Sequence, residues 1–484
     1  MSEPKRLHPI TAVLNAIKTL KELIIPFFAF VVFGSKGGGI FSIIGGIVVL
    51  VLILVAGIFS WLRYTYRIEE GELRIEYGLF VRKKRYIPFE RIQSLDLSEG
   101  IFHRPFGLVK VKVETAGASG TIDGAEATLT AISKAEAAMI QEVLQKVKTL
   151  GVEDIEKLDE IQEPKEQILY KISPRELLIL ASTSGGVGVV ISAVIAFITQ
   201  FDELIPYKTV FHELEEFVAS GVLFVSLIVF IGFLLAWIIS VIWMMIKYTD
   251  FTLKRVENDL IITRGLLEKR QITVPLGRIQ GIRISENILR QPFGYSSVYI
   301  ESAGGSAANA ESASVNILPL IKKARISRLI EDHIDGYDLE IQTTPAPNRA
   351  LKRYIFRGWL VVIPIAIILI FFFKLWGALS LLLLPLSAFW SYLEYKDAGW
   401  SQQGNQLTLS YRTFVKHTVF MQKHKIQTLA LKESFFQRKE NLASIEATLM
   451  SGLGGAGGRV TDLEEKDVEL MYKWFSRESE KAQS

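Results

Sequence analysis

The sequence predicts a mixed membrane protein: six transmembrane α-helices in three hairpins, each followed by a small β-barrel or curled sheet with a C-terminal capping helix. Three observations predict it. The 484 residues are 49% hydrophobic and 22% charged, with a mean hydropathy of +0.29 where soluble chains usually fall below zero. Long apolar runs come in three pairs. The polar stretch that follows each pair repeats itself.

Residues 1–62 hold an N-terminal helix and the first hairpin. Leu23–Gly34 is too short to span alone, but Ile10, Val13, Leu14, Ile17, Leu20 and Ile24 recur upstream at helical spacing. One long spanning helix and an interfacial helix before a short span both fit, and the span is favoured. No A-x-A site follows, which argues against a signal peptide. Ile40–Leu62 makes the second span. The second hairpin, residues 174–246, contains Leu177–Phe201 and Val218–Ile246. The third, residues 354–393, contains the shorter runs Gly358–Phe373 and Ala378–Leu393, with Arg357 and Lys374 placed to snorkel. Lys5, Arg6, Lys18 and Lys21 precede the first run, whereas the loop between spans three and four is acidic. The positive-inside rule then predicts that both termini and all soluble segments are cytoplasmic.

The soluble segments are residues 63–150, 247–338 and 394–484, with linkers at 151–173 and 339–353. The first reads Ile87-Pro-Phe-Glu-Arg-Ile-Gln-Ser-Leu, then Arg104-Pro-Phe-Gly, then Val111-Lys-Val-Glu-Thr-Ala-Gly. The second reads Val274-Pro-Leu-Gly-Arg-Ile-Gln-Gly-Ile, then Gln291-Pro-Phe-Gly, then Val298-Tyr-Ile-Glu-Ser-Ala-Gly. Arg91 to Pro105 and Arg278 to Pro292 are both 14 residues. The third copy is degenerate: Lys425-Ile-Gln replaces Arg-Ile-Gln, Arg438 matches Arg104, and Pro-Phe-Gly is lost. Strands with period-two alternation, such as Val109-Lys-Val-Lys-Val, lead to Gly-rich loops at Ala116–Gly120, Ala303–Ala310 and Gly452–Gly458. Helices are expected over Ile132–Val147, Ile317–Ile334 and Leu463–Phe475.

This pattern resembles the bacterial pleckstrin-homology-type domain (bPH2, or DUF304). Three copies, each behind a hairpin, with Leu7-His8-Pro9 near the start, resemble the YdbT-like membrane proteins. The resemblance implies a seven-stranded, partly open barrel with a C-terminal helix and no catalytic residues. It also implies a bacterial cytoplasmic (inner) membrane location and a complex tied to envelope stress or antimicrobial-peptide resistance. The partner would be a second PH-like (YdbS-like) membrane protein, or the chain itself.

Candidate contacts with anionic lipid headgroups or a partner are Arg82, Lys83, Lys84 and Arg85, with Lys269 and Arg270 in copy two and Lys423 and Lys425 in copy three. Their bland reading is a solvated strand face. Arg91, Gln93, Arg278 and Gln280 recur with the motif; pairing with local carboxylates or loop carbonyls is favoured over a ligand groove. Pro-Phe-Gly reads as a tight turn with an aromatic plug into the core.

Several classes are excluded or disfavoured. The absence of cysteine rules out disulfides, iron–sulfur clusters and thiol catalysis. A net charge of +4 makes no case for nucleic acid. Six scattered histidines, and the lack of Gly-x-Ser-x-Gly or His-Glu-x-x-His, predict no enzyme and no cofactor. Gly452–Gly458 lacks the Lys-Ser/Thr of a phosphate loop. The rival function is a transporter or accessory exporter subunit, disfavoured because the runs hold almost no interior charge.

Overall fold

The computed structural model describes residues 4–17, 39–69, 71–78, 81–115, 127–150, 166–185, 192, 222–303, 314–374, 376–451 and 456–476. The chain forms two compact units: Met1–Glu166 with Ile261–Pro275, and Gln167–Leu260 with Leu276–Ser484.

In the first unit, residues 10–17 are helical and helix α1 covers Gly39–Leu62. The strands are β1 (Lys5–Arg6), β2 (Thr65–Glu69), β3 (Glu72–Tyr77), β4 (Lys83–Pro88), β5 (Ile92–Glu99), β6 (Leu108–Thr115) and β7 (Ala127–Ser133). β1 to β4 form one antiparallel sheet in sequence order. A 3₁₀ turn at Phe89–Arg91, on the repeated motif, sends the chain into the second sheet, β5-β6-β7. The alternation in β6 survives: Val109, Val111 and Val113 point into the core while Lys110 and Lys112 do not. Helix α2 (Lys134–Leu150) adds Ala137, Ile140, Leu144 and Val147 to a core that also holds Leu73, Ile75, Ile87, Phe89 and Leu129. The two sheets and the helix thus enclose one apolar centre, as a small module requires.

In the second unit, β8 (Glu166–Lys171) leads to helix α3 (Pro174–Thr183), whose start carries a Ser173–Glu176 capping box. Helix α4 (Val222–Tyr248) is tied to α3 where Trp237 Nε1 donates to Ser182 O at 3.3 Å. β9 (Thr252–Val256) and β10 (Asp259–Arg264) follow, then β11 (Lys269–Pro275); from Ile261 to Pro275 the chain belongs to the first unit. The second repeat continues with β12 (Ile279–Glu286), β13 (Tyr295–Ser302), β14 (Ser314–Lys322) and the short helix α5 (Ile326–Glu331). After β15 (Thr344–Pro345), helix α6 (Ala350–Phe373), a 3₁₀ segment (Trp376–Leu382) and helix α7 (Leu383–Asp397) follow, with Trp359 Nε1 donating to Leu384 O at 3.2 Å. The third repeat holds β16 (Gly399–Gln403), β17 (Gln406–Arg412), β18 (Lys416–Gln422), β19 (Ile426–Lys432), helix α8 (Phe435–Arg438), β20 (Leu442–Leu449), β21 (Ala456–Glu464) and helix α9 (Glu465–Phe475). Its core gathers Leu407, Val419, Ile445, Val460, Val468 and Met471.

Among the described residues, three helical stretches are long and apolar enough to cross a membrane: Phe230–Tyr248, Ala350–Phe373 and Gly377–Asp397. The run Leu23–Gly34 lies outside the described residues, and Leu177–Phe201 is described only to residue 185 and at 192. The expected helices start too early. Residues 132–133 belong to β7, and Leu463 and Glu464 to β21. The expected helix Ile317–Ile334 is a strand as far as Lys322, and only Ile326–Glu331 is α-helical. Val315 and Ile317 are β-branched, and Pro319 lies where the β13–β14 register slips, a site that tolerates the missing N–H. The Gly-rich segment 456–458 is also strand, with 452–455 outside the described residues. Gly457 has φ +154°, and a Cβ there would sit 1.9 Å from Ala447 O.

Consecutive repeats share sheets. β5 of the first repeat pairs with β11 of the second: Lys269 faces Glu99, Arg270 faces Ser98 and Gln271 faces Leu97. β12 of the second repeat pairs with β18 of the third: Lys416 faces Glu286, His417 faces Ser285 and Thr418 faces Ile284. Aligned on the motif, these are the same positions, so both joints have one register.

Candidate functional site

Both joints place a lysine opposite a glutamate and a hydroxyl beside it. In the second joint the Ser285 hydroxyl lies 3.0 Å from Nδ1 of His417. Burial, with Arg283 and Arg412 nearby, lowers the His417 pKa from 6.5 to about 4. The folded value lies below the unfolded one. Its stabilising contribution is therefore complete above pH 6.5 and is lost as pH falls from 6.5 towards 4. Acidification from pH 7 to 4.5 is expected to destabilise the second unit by about 1–2 kcal/mol through this group, after solvent screening. His417→Gln should flatten that dependence in a thermal melt; an unchanged pH slope would reject the assignment.

The predicted basic residues are largely engaged locally. Arg82 forms an ion pair with Glu76, and Lys84 lies 3.4 Å from the same carboxylate. The Arg82 hydrogen bond holds the Glu76 carboxyl below its usual range. Arg85 sits 5.7 Å from the Tyr77 ring centre, and Lys83 is exposed on β4. Arg270 pairs with Glu268 at 2.9 Å, while Lys269 stands in the first joint. Lys423 lies over Trp474 at 5.7 Å. It helps line an open cleft of about 720 Å³ with Asn405, His424, Ile426, Leu429 and Tyr472. Lys425 ends the 3₁₀ turn before β19, half-buried.

The Arg-x-Gln positions follow the turn between sheets. Arg91 is exposed and Gln93 half-buried. Arg278 O accepts from Ala303 N at 3.1 Å and from Gln280 Nε2 at 3.3 Å, with Gln280 buried. The structure thus gives Gln280 a local carbonyl partner.

Pro-Phe-Gly is a tight turn: 3₁₀ geometry at Arg104–Phe106 and Gln291–Phe293, closed by Gly107 (φ +63°) and Gly294 (φ +69°). Asn441, at φ +52°, closes the equivalent turn in the third repeat, because Asn tolerates the left-handed region. The expected aromatic plug is corrected. Phe106 is 58% exposed and Phe293 72%, since so short a turn leaves the ring on its outer side.

Sequence reading missed what precedes that turn. Ile101-Phe102, Ile288-Leu289 and Phe435-Phe436 occupy equivalent positions, and all six side chains are exposed. The local frame is identical: the N–H groups of His103, Arg290 and Gln437 donate to the carbonyls of Gly100, Asn287 and Ser434, each at 2.9 Å. Apolar doublets at a constant offset from the motif were the available signal.

In the second and third repeats the turn that carries the tip bonds directly to an apolar helix; in the first the link runs through Leu7 and His8. In the first repeat, His8 lies 5.7 Å from the Phe106 ring, and Trp61 near the end of α1 donates to Leu7 O at 2.6 Å. In the second, buried Arg290 donates to Thr183 Oγ1 at 2.7 Å, Ser184 Oγ at 3.0 Å and Leu180 O at 3.2 Å, within the run that begins at Leu177. In the third, Arg353 of α6 donates to Phe436 O at 2.9 Å. Arg353 also holds Asp462 Oδ1 at 2.9 Å, Gln437 donates to that oxygen at 2.8 Å, and Arg357 reaches Oδ2 at 2.7 Å. Among the described residues, no group of three or more His, Asp or Glu is placed to hold a metal ion.

The family described as bacterial PH domain matches this chain three times, over residues 21–148, 204–336 and 359–479. The UPF0699 transmembrane protein YdbT of Bacillus subtilis (strain 168) is 40% identical over 491 residues, covering 99% of both chains.

Proposed function

We propose that this chain, which belongs to the bacterial PH domain family, is a non-enzymatic membrane scaffold whose modules rest on the lipid surface and present strands to other proteins. The carrying observation is the apolar tip, exposed in all three repeats at one turn that in the second and third is bonded to an apolar helix. Solvent-exposed Phe-Phe, Ile-Phe and Ile-Leu pairs are unfavourable. Burial of one such side chain contributes about 1.5–3 kcal/mol. A bilayer interface offers that burial at the height where the helices enter. Lipid contact falls to the tips rather than to Arg82–Arg85, because Glu76 engages two of those four cations. The charge pattern of the loops supports a cytoplasmic face of the bacterial inner membrane for the modules.

The chain has no cysteine, so single-cysteine labelling tests this directly. With Phe102→Cys, Leu289→Cys or Phe436→Cys, a polarity-sensitive fluorophore in phosphatidylglycerol-containing vesicles should emit as in an apolar medium. A label at Lys473→Cys on α9 should emit as in water. Water-like emission at all three tips would defeat the reading. The family resemblance further supports a complex serving envelope stress. Deletion is expected to lower the inhibitory concentration of a cationic pore-forming peptide, and an unchanged value would remove that role.

A further inference from the structure

The second repeat departs from its neighbours in the segment that leads into its apolar helix. In the third repeat, Arg349, just before α6, forms an ion pair with Glu464 at the end of β21. In the first, Lys5 on β1 pairs with Glu136 on α2 at 3.1 Å. Each pair ties the lead-in segment to the closing part of its module. Backbone bonds fix the equivalent positions in the second repeat. The N–H groups of Ile172 and Ala346 donate to Phe251 O and Ala398 O, the residues before β9 and β16, so Arg175 stands where Arg349 does. The N–H groups of Lys134, Lys323 and Glu465 donate to the carbonyls of Gly107, Gly294 and Asn441, which close the motif turn. Lys322 therefore stands where Glu464 does, and Arg325 where Glu136 does. Both bridging carboxylates have become cations.

A pocket of about 550 Å³ lies at this place. Lys171, Arg175, Lys322 and Arg325 line it and are exposed; among the described residues none of the four has an ion-pair partner. Lys323 next to them does have one, Glu286 at 3.0 Å. Glu176 also lines the pocket, but its Oε2 accepts from the Ser173 N–H and hydroxyl, both at 2.9 Å, within the capping box. Tyr170 OH donates to Leu320 O at 2.6 Å, which holds β8 to β14 against the repulsion of the like charges on either side. Ile179, Ile321 and Leu329 add apolar lining, and Leu178 on α3 is 54% exposed.

We propose that this pocket binds the phosphodiester of an anionic phospholipid, which supplies to the second repeat the negative charge that Glu464 and Glu136 supply to the other two. Basic pockets beside membrane helices take anionic headgroups, and the guanidinium forks of Arg175 and Arg325 match phosphate oxygens. A lipid is favoured over a soluble phosphate because the pocket lies against the first turns of α3, where the apolar run from Leu177 begins, and because its apolar lining suits acyl chains. The bound headgroup then fastens the second module to its helix. The inference rests on the membrane contact proposed above but uses none of the tip residues.

The test uses the full chain in a neutral detergent. Added phosphatidylglycerol, near saturation, should raise the midpoint of thermal unfolding by about 3–5 °C. Phosphatidylcholine and inorganic phosphate at the same concentration should not. Lys322→Glu restores the carboxylate of the third repeat opposite Arg175, at an exposed position that spares the fold. It should raise the midpoint without lipid and cancel the response to phosphatidylglycerol. Arg325→Gln, which only removes a charge, should weaken the apparent affinity for that lipid about fivefold. A fluorophore at Leu289→Cys should still emit as in an apolar medium when Lys322→Glu is added, so the tips and the pocket fail separately. The inference is overturned by a wild type that does not respond to phosphatidylglycerol, by an equal response to phosphatidylcholine or to inorganic phosphate, or by a Lys322→Glu variant that keeps the response or gains no stability without lipid.

Discussion

Asp462→Ala is expected to destabilise the third repeat by about 3–5 kcal/mol, the range found when one partner of a buried ion pair is removed. Asp462 is 0% exposed, and Arg353, Arg357 and Gln437 converge on its two oxygens. Without it, Arg353, whose side chain is 21% exposed, keeps only its bond to Phe436 O among these contacts. Arg357 suffers less, being half in solvent and stacked 4.5 Å from the Tyr354 ring centre. The backbone adds a second reason, because φ at Asp462 is +57°, a region that Asp and Asn tolerate better than Ala. Asp462→Asn should therefore lose less than Asp462→Ala. Denaturant unfolding in mild detergent measures both. Since Arg353 and Arg357 belong to α6, the Ala variant should also become more sensitive to trypsin between α6 and the third repeat. Equal stability of wild type and Asp462→Ala would show that the carboxylate does not join them.

Asp397→Ala should have a comparable effect, about 3–5 kcal/mol, for a different geometric reason. Asp397 ends α7, and its Oδ2 accepts from Arg412 Nε at 2.5 Å while Oδ1 lies 3.0 Å from Lys416. The Arg412 side chain is 1% exposed, and its other recorded bond is to Gln291 Oε1 at 2.6 Å. Truncating Asp397 strands a guanidinium that solvent does not reach. The double variant Asp397→Leu with Arg412→Met should recover most of the loss, because well-packed apolar groups can replace a buried pair at little penalty. Additive losses in that cycle would place the stabilisation elsewhere.

Parts of this architecture were legible because they are local. The motif spacing identifies three repeats, and the Val109–Val113 alternation identifies β6. The joints were not legible, because edge pairing between Lys269 and Glu99 leaves no trace within either segment. The helix after β14 was overestimated because Ile317, Leu318 and Leu320 fit either period over so short a run. Chemistry alone points Phe106 and Phe293 inward, whereas the length of a 3₁₀ turn decides their direction. Asp462 gave no signal: its partners Arg353 and Arg357 lie across a pair of apolar helices in the chain, and one acidic residue in a strand is unremarkable by itself.

The shared sheets also impose an order on biosynthesis. When β5 leaves the ribosome its edge is bare, and β11 follows only after two further apolar segments have been made. During that interval the nascent first module exposes a strand able to pair indiscriminately. The same delay recurs between β12 and β18. Polypeptides interrupted within the second apolar pair should accordingly be targets for chaperones and proteases, and the intact protein should reach its mature form only as each later repeat emerges and closes the one before it.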